Sequence, residues 1–341
     1  MHLPTPVALA LSGLLSFSLM GCGTTQLQPA APAQTLTLSS ANMLQHLHAL
    51  QKIAQTHAHN RAIGTEGGRQ TVQYIRQTIK NMGLEPAGMV FKNRHQLVGE
   101  NVIVEIQGQS KDTAIIIGAH HDSVPMGPGI NDNGSGVAVL LELIRQLKQQ
   151  PQPPKHTLYF AFWDSEEDGI GGAQHFVNAM TSKQLEGIQA YINLDMVGTK
   201  DSTIQIADGD RSSIAEMENM LKARGMAEND YKPITDSLAK IPHHPQDVVL
   251  EQHLRHFFTA RNIKVKDDVS TLTASDSAPF LGKVPVTSVI FFNQQMKGDE
   301  LEFAPCYHKA CDTLDLIDPK SMQIAGEAAL SLVTMLNATS K

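Results

Sequence analysis

A run of apolar, mostly β-branched residues at 113–117 leads directly into the sequence Gly-Ala-His-His-Asp-Ser at 118–123. A continuous apolar run of this kind predicts a strand that is buried on both faces of an α/β sheet. His120 then lies at the carboxyl end of the strand, which is the edge where open α/β sheets bind ligands. The sequence therefore predicts a functional site at this strand end.

A second candidate ligand follows on the same loop. Apolar residues recur at helical spacing from Val137 to Leu147, so Asp132 and Asn133 are predicted in the turn that enters a helix. A carboxylate is favoured there because the N-terminal end of a helix carries a partial positive charge. His120 and Asp132 are thus expected at the two ends of one loop.

The same order of strand, acidic loop and helix recurs along the chain. Strands are predicted at 157–163, followed by Glu166 and Glu167, and at 190–196, which contains Asp195. This pattern predicts an α/β fold, with a mostly parallel mixed sheet sandwiched by helices, in a single catalytic domain. Further strands are predicted at 88–92, 98–106 and 284–292. The segment at about 208–270 looks helical at 215–223, but its prolines indicate an irregular insertion or lid.

The composition indicates a folded globular protein and argues against nucleic-acid binding. The chain has 341 residues, of which 41% are hydrophobic and 18% charged, as in a folded globular protein. Its net charge of −7 and the lack of a basic patch argue against a nucleic-acid partner.

The N-terminal residues predict export. An apolar stretch at 7–20 is too short for a comfortable membrane span, and it ends in a sequence that resembles a bacterial lipobox before Cys22. We expect a lipoprotein-type signal peptide at 1–21, a lipidated Cys22, a flexible tether at 22–38 and a catalytic domain at 39–341. An ordinary secretory signal is the alternative, and residues 1–6 lack the Lys or Arg of either type. The protein would face the periplasm or the cell exterior, and the lipid would be its sole membrane contact.

Five side chains at the predicted loop ends can bind metal: His120, Asp132, Glu167, Asp195 and His308. Imidazoles and carboxylates suit zinc, and this set is large enough for two zinc ions that share one carboxylate. Two metals can activate a water and polarise a carbonyl, so the chemistry indicated is hydrolysis. One of Glu166 and Glu167 can bind metal while the other moves protons. Asp122 can accept the second N–H of His120.

Two cysteines flank His308 in the sequence. Cys306 and Cys311 are the only cysteines besides Cys22. In an exported protein a pair this close most simply forms a small-loop disulfide.

From residue 40 to about 338 the chain resembles the secreted two-zinc aminopeptidases of the leucyl aminopeptidase and aminopeptidase Y type, in peptidase clan MH. The motifs that carry the resemblance are Arg61-x-x-Gly64-Thr65-x-Gly67, residues 118–123, 131–136, Glu166-Glu167-x-Gly169, residues 193–198, Ser275-Asp276 and Tyr307-His308-x-x-x-Asp312-Thr313. The fold implied is the phosphorylase/hydrolase-like fold of zinc exopeptidases.

The resemblance implies a role for each site residue. His120 and Asp195 would bind one zinc ion, Glu167 and His308 the other, and Asp132 would bridge them. Glu166 would be the general base, Asp122 would orient His120, and Tyr307 would help to stabilise the oxyanion. The family often has a histidine where this chain has Ser277. His121, His243 and His244 are not expected to be ligands.

The predicted function is thus an exported, lipid-anchored zinc aminopeptidase that hydrolyses the N-terminal bond of peptides with a free amine. Three alternatives stay open at this stage. They are a glutaminyl cyclase with one zinc, a carboxypeptidase or dipeptidase of the same fold, and a metal-free lipid-anchored binding protein. The sequence predicts no particular oligomeric state.

Overall fold

The computed structural model describes residues 36–273, 275–293, 295–297 and 300–338. The predicted signal peptide and Cys22 lie outside the described residues. From Thr37 onward the described residues form one compact unit. In this part of the chain no helix has both the length and the apolar character that a membrane span requires.

The secondary structure alternates between strands and helices. The strands are β1 (Ala87–Lys92), β2 (Val98–Ile106), β3 (Ser110–His120), β4 (His156–Trp163), β5 (Ile188–Asp195), β6 (Thr203–Ala207), β7 (Val265–Asp268), β8 (Val286–Phe292), β9 (Gln295–Lys297) and β10 (Glu300–Glu302). The helices are α1 (Ser40–Thr56), α2 (Glu66–Asn81), α3 (Gly136–Lys148), α4 (Gly171–Ala179), α5 (Ser182–Gly187), α6 (Ser212–Ala223), α7 (Glu228–Ala239), α8 (Asp247–Thr259) and α9 (Pro319–Ala338).

Eight of the described strands form one mixed sheet in the order β1-β2-β4-β3-β5-β8-β6-β7. The four central strands, β4, β3, β5 and β8, run parallel to one another. On one side of these strands, β2 is antiparallel to β4 and β1 is antiparallel to β2. On the other side, β6 is antiparallel to β8. The predicted mostly parallel mixed sheet is confirmed.

The central strand β3 is buried on both faces, as its composition predicts. Ile115, Ile116 and Ile117 are each 0% exposed. Because side chains alternate along a strand, Ile116 faces one layer and its two neighbours face the other. Ile116 packs in a cluster with Trp163, Tyr191 and residues of α4, whereas α3 packs with α1 and α9. Helices therefore cover both faces of the sheet, so the carboxyl ends of its central strands are held by packing on both sides.

The segment 208–270 differs from its prediction. It is regular rather than irregular, since it contains α6, α7 and α8 and ends with β7, which pairs with β6 in parallel. Pro233 lies within α7, whereas Pro242 and Pro245 lie in the connection between α7 and α8. Whether the segment acts as a lid stays a prediction.

Candidate metal centre

Three adjacent parallel strands bring candidate ligands to one edge of the sheet. His120 is the last residue of β3 and pairs with Trp163, the last residue of β4. On the other side of β3, β5 ends at Asp195. The loop that follows β4 carries Glu166 and Glu167. The ladder register therefore places these residues together, because the carboxyl ends of parallel strands share an edge.

Asp132 comes from the turn between β3 and α3. Residues 130–135 form one wide helical turn that is interrupted at Asp132, where φ is −104° and ψ is 95°. The peptide bond between Asp132 and Asn133 is cis. Asn133 holds the turn against the sheet, because its Nδ2 donates a hydrogen bond of 2.8 Å to the carbonyl of Leu194.

The two carboxylate oxygens of Asp132 face two different histidines. Oδ1 lies 3.3 Å from Nε2 of His120, which is itself 3.6 Å from Oδ1 of Asp195. Oδ2 lies 3.3 Å from Nε2 of His308, which is itself 3.0 Å from Oε2 of Glu167. Two groups of three ligand atoms thus share one carboxylate.

The donor separations and donor types fit zinc. With bonds of roughly 2.0–2.1 Å, two ligands in a tetrahedral zinc site lie about 3.4 Å apart, close to the separations in both groups. Oδ1 of Asp195 and Oε1 of Glu167 are buried without any hydrogen-bond partner. Buried carboxylate oxygens are normally paired, so these two atoms suit a bound cation.

His308 reaches the site from a disulfide loop. Cys306 and Cys311 form the predicted disulfide, with Cα atoms 5.4 Å apart. Both Cys306 and His308 have positive φ angles, of 63° and 56°. Non-glycine residues in this conformation cost about 1 kcal/mol or more each, and such costs concentrate at functional sites. The ring of Tyr307 stacks on the His308 imidazole at a centroid distance of 3.7 Å.

Asp122 connects His120 to the loop after β4 that carries Glu166 and Glu167, which we call the acidic loop. Its Oδ1 lies 3.4 Å from Nδ1 of His120, the ring nitrogen that faces away from Asp132. The two oxygens of Asp122 also accept hydrogen bonds from the backbone N–H groups of Glu166 (3.1 Å) and Glu167 (3.3 Å). One buried carboxylate therefore positions a candidate ligand and the loop that bears two further site residues.

Glu166 lines the same cavity as Asp132, Glu167, Asp195 and His308 but belongs to neither ligand group among the described residues. Burial raises the pKa of its carboxyl well above the usual value, and the nearby carboxylate of Asp276 adds to this effect. Asp276 is itself fully buried, and neither of its oxygens has a hydrogen-bond partner. The cavity has a volume of about 360 Å³.

The charges of the two ligand groups call for a cation. Burial raises the pKa of Glu167 to about 7, and the Asp132 carboxylate contributes to the shift. Burial alone would favour a neutral His308, yet the carboxylates of Asp132 and Glu167 raise its pKa to about 10. The two groups together contain three carboxylates and two imidazoles, so a divalent metal in place of these protons would compensate the negative charge.

Comparison with known proteins identifies the family. Residues 101–333, more than half of the chain, match the model of Peptidase family M28. The chain belongs to peptidase family M28. All five candidate ligands lie within the matched residues.

Relatives of this M28 peptidase include two bacterial enzymes. Leupeptin-inactivating enzyme 1 of Streptomyces exfoliatus is 25% identical over an alignment of 349 positions, which covers 99% of this chain and 71% of that protein. The probable lipoprotein aminopeptidase LpqL of Mycobacterium tuberculosis is 32% identical over 238 residues, which cover 66% of this chain and 43% of that protein. The chain thus spans less than half of the length of LpqL.

Two kinds of solved structure share the M28 fold. The zinc aminopeptidase BSAP of Bacillus subtilis superposes with a TM-score of 0.67 at 16% identity, covering 88% of this chain and 95% of that chain. A glutaminyl cyclase of an Acidobacteriales bacterium has a TM-score of 0.65 at 22% identity, covering 91% and 99%. At these identities the likeness shows the fold alone.

Two residues of the M28 motifs have supporting roles that the sequence does not assign. Arg61 is fully buried and donates hydrogen bonds to the carbonyls of His121, Pro128 and Gly129, so it holds both ends of the loop between the first two candidate ligands. Asp312 accepts hydrogen bonds from the backbone at the start of the Asp132 turn. Both residues belong to sequence motifs that the chain shares with the two-zinc aminopeptidases. These motifs are the sequence signal that singles them out.

Other candidate residues are not brought into the M28 site. His121 points away from it, since its Nε2 contacts the carbonyl of Glu100 at 3.0 Å. His243 and His244 lie between α7 and α8, and neither belongs to a ligand group among the described residues.

A third acidic group lies beside the ends of β6 and β7 and comprises Asp208, Asp210, Glu251 and Asp267. Arg255 lies 2.9 Å from both Glu251 and Asp267. Asp208 accepts hydrogen bonds from the backbone of Ser212 and Ser213. Much of this acidic charge is therefore compensated within the protein.

Proposed function

We propose that this M28 peptidase is an aminopeptidase with two zinc ions and with Glu166 as the general base. The observation that carries the proposal is the position of Asp132, whose two oxygens face separate ligand groups 3.3 Å from His120 and 3.3 Å from His308. A carboxylate shared in this way is what a pair of adjacent metal ions requires.

Four of the five ligands would each bind one of the two zinc ions, and Asp132 would bind both. His120, Asp132 and Asp195 would hold one zinc ion, and Asp132, Glu167 and His308 the other. When bound, zinc acts as a Lewis acid that polarises a carbonyl and makes a coordinated water more acidic. Asp122, whose Oδ1 lies 3.4 Å from Nδ1 of His120, would orient the ring so that Nε2 is available to a metal.

Glu166 performs the proton transfers. It lines the cavity without joining either ligand group, so its carboxylate is available to a substrate. Glu166 takes the proton of the attacking water and delivers it to the leaving amine. The hydroxyl of Tyr307, on the ring that stacks against His308, donates a hydrogen bond to the oxyanion that develops on the scissile carbonyl.

The cavity wall suits an apolar first residue. Met196, Ile290 and Phe292 pack with Phe303 and Tyr307 along the side of the cavity beyond β5. An apolar N-terminal side chain, such as that of leucine, would be buried against this wall. Peptides with a free amine are therefore the proposed substrates.

The decisive experiment compares leucine p-nitroanilide with its N-acetylated form, using purified protein with added zinc or with chelator. The proposal predicts p-nitroaniline release from the free-amine substrate alone, lost with chelator and restored by zinc. Release from the acetylated substrate, or release that resists chelation, would contradict it. A peptide with an N-terminal glutamine is assayed in parallel. Its cyclisation without hydrolysis of the peptide bond would favour a glutaminyl cyclase.

We further propose that the protein is exported and anchored through a lipid on Cys22. The lipobox-like sequence supports this, as does the description of LpqL as a lipoprotein. Substitution of Cys22→Ser in the full chain should move the protein from the membrane fraction to the soluble fraction. An unchanged membrane fraction would contradict the anchor.

A further inference from the structure

The tip of the hairpin between β1 and β2 forms one flank of the catalytic cavity. Because β2 is antiparallel to β4, the start of β2 lies beside the carboxyl end of β4. Residues 93–97, which connect β1 to β2, therefore lie next to the loop that carries Glu166 and Glu167. We call residues 93–97 the hairpin tip.

Asn93 fastens the hairpin tip to the acidic loop. Its side chain is 5% exposed, and Nδ2 donates hydrogen bonds to Ser165 Oγ (3.2 Å) and Asp168 Oδ2 (2.9 Å). Its Oδ1 accepts hydrogen bonds from the backbone N–H groups of His95 and Leu97. The tip is thus held in one conformation on the wall of the active site.

Arg94 extends from this tip over the acidic loop. A Cβ on Gly169, where φ is +96°, would lie only 3.1 Å from Nη1 of Arg94, so the guanidinium covers that glycine. The Arg94 side chain is 64% exposed, and its Nη2 forms an ion pair with Asp168 at 3.8 Å, which is beyond hydrogen-bond distance. In the described part of the chain, Nε contacts His95 and neither Nη atom forms a hydrogen bond.

The cavity therefore has two chemically different flanks. Beyond β5 lies the apolar wall that contains Ile290 and Phe292. On the β4 side lies Arg94, the one arginine or lysine among the described residues that line the cavity. Glu166 follows β4 as well, and it must reach the leaving nitrogen to protonate it. A peptide whose first side chain meets the apolar wall thus directs its leaving part toward Arg94.

We propose that Arg94 binds a carboxylate on the leaving side of the substrate. A guanidinium recognises carboxylates through paired N–H donors, and the two Nη groups of Arg94 provide them. The carboxylate is either the C-terminus of a short peptide or the acidic side chain of the residue after the scissile bond. This inference rests on the proposed aminopeptidase function and adds a preference for short or acidic peptides.

The test measures kcat/KM for matched pairs that differ only in the charge of one group. Leu-Gly and Leu-Gly-Gly are compared with their C-terminal amides, and Leu-Glu-amide is compared with Leu-Gln-amide. The wild type should prefer the charged member of at least one pair by about tenfold, the scale of one charge-assisted hydrogen-bonded pair. The first two pairs report a terminal carboxylate, and the third reports an acidic side chain.

The variant Arg94→Gln should reduce that preference to less than twofold. Arg94→Lys, which retains the charge but not the paired donors, should leave an intermediate preference. Arg224→Gln removes an exposed arginine beyond α6 and is the matched control that should keep the full preference. Raising the salt concentration should weaken the preference of the wild type.

Two results would overturn the inference. One is equal kcat/KM for the charged and neutral members of every pair in the wild type. The other is a preference that persists in Arg94→Gln. Hydrolysis of leucine p-nitroanilide, which carries no carboxylate, would in either case leave the proposed aminopeptidase function standing. If the wild type fails to hydrolyse that substrate with zinc present, the proposed function fails and the Arg94 assignment fails with it.

Discussion

The carboxylate of Asp312 accepts a hydrogen bond of 3.1 Å from the backbone N–H of Asp132. A second bond, of 2.9 Å, comes from the N–H of Asn131. Asp312 also directly follows the disulfide loop that contains His308. One side chain therefore ties the carboxylate that faces both ligand groups to the segment that supplies a ligand of the second group.

Loss of an oxygen from Asp312 should weaken zinc binding. Asn at this position has only one oxygen, so one of the two N–H groups of the Asp132 turn loses its acceptor. Partners of this kind typically contribute 10- to 100-fold to metal affinity. We expect a fall of about that size for Asp312→Asn in a chelator competition assay. Asp315→Asn, at an exposed position nearby, is the control, and equal zinc affinity in both variants would refute the role of Asp312.

Arg61→Lys should destabilise the fold. The guanidinium is 0% exposed and donates to three backbone carbonyls, and a lysine amine cannot reproduce this planar arrangement of donors. Carbonyls left without donors cost about 1–3 kcal/mol. We expect the free energy of unfolding in urea to fall by about 2–3 kcal/mol. Arg69→Lys on the exposed face of α2 should change it little, and similar values for the two variants would be evidence against the assignment.

Removal of the disulfide should affect the second ligand group most. Closing such a short loop restricts the unfolded chain and contributes about 2 kcal/mol. In the double variant Cys306→Ser, Cys311→Ser, we expect a lower melting temperature and faster loss of one zinc ion than of the other, because His308 lies inside the loop. Stopped-flow release into a chromogenic chelator measures both rates. Identical release curves for the variant and the wild type would contradict this prediction.

The buried carboxyl of Asp164 should make stability depend on pH. Burial raises its pKa from 3.8 to about 6. The folded protein therefore retains a proton that the unfolded chain has already lost, and this contribution to stability is complete below pH 4 and declines as the pH rises through 6. The shift corresponds to about 3 kcal/mol.

The variant Asp164→Asn lacks this titration. The unfolding free energy of the wild type minus that of the variant should therefore fall between pH 4 and pH 7. Urea unfolding at saturating zinc measures it at each pH. A difference that stays constant, or that grows with pH, would show that the pKa of Asp164 is not raised.

The central sheet was largely predictable because apolar runs specify buried strands. The prediction of a strand at 98–106 coincides with β2, and the run at 113–117 lies within β3. Candidate ligands at the ends of successive strands were then expected together, since parallel strands share an edge. The structure brings all five of them into two adjoining groups.

The segment 208–270 was harder because its helices are weakly patterned. None of the residues of α6 is buried, and α7 contains Pro233. Proline lacks the N–H that bonds to the preceding helical turn, so it usually indicates an interrupted helix. The helix expected at 215–223 is confirmed as part of α6, whereas the short strand β7 produces no clear apolar period.

The supporting residues could not be assigned from the sequence because their partners are distant in the chain. Arg61 contacts carbonyls some 60 to 68 residues away, and Asp312 contacts N–H groups about 180 residues away. No local pattern encodes such pairings. Arg94 likewise reaches the cavity through the pairing of β2 with β4, which depends on the complete sheet.

The most direct test of the two-zinc aminopeptidase measures the zinc content and the kcat of Glu166→Gln together. Glu166 belongs to neither ligand group, so the variant should still bind two zinc ions per chain. Its kcat for leucine p-nitroanilide should fall by about 10²–10⁴-fold, the usual contribution of a general base. A variant that keeps two zinc ions and the wild-type kcat would contradict the account.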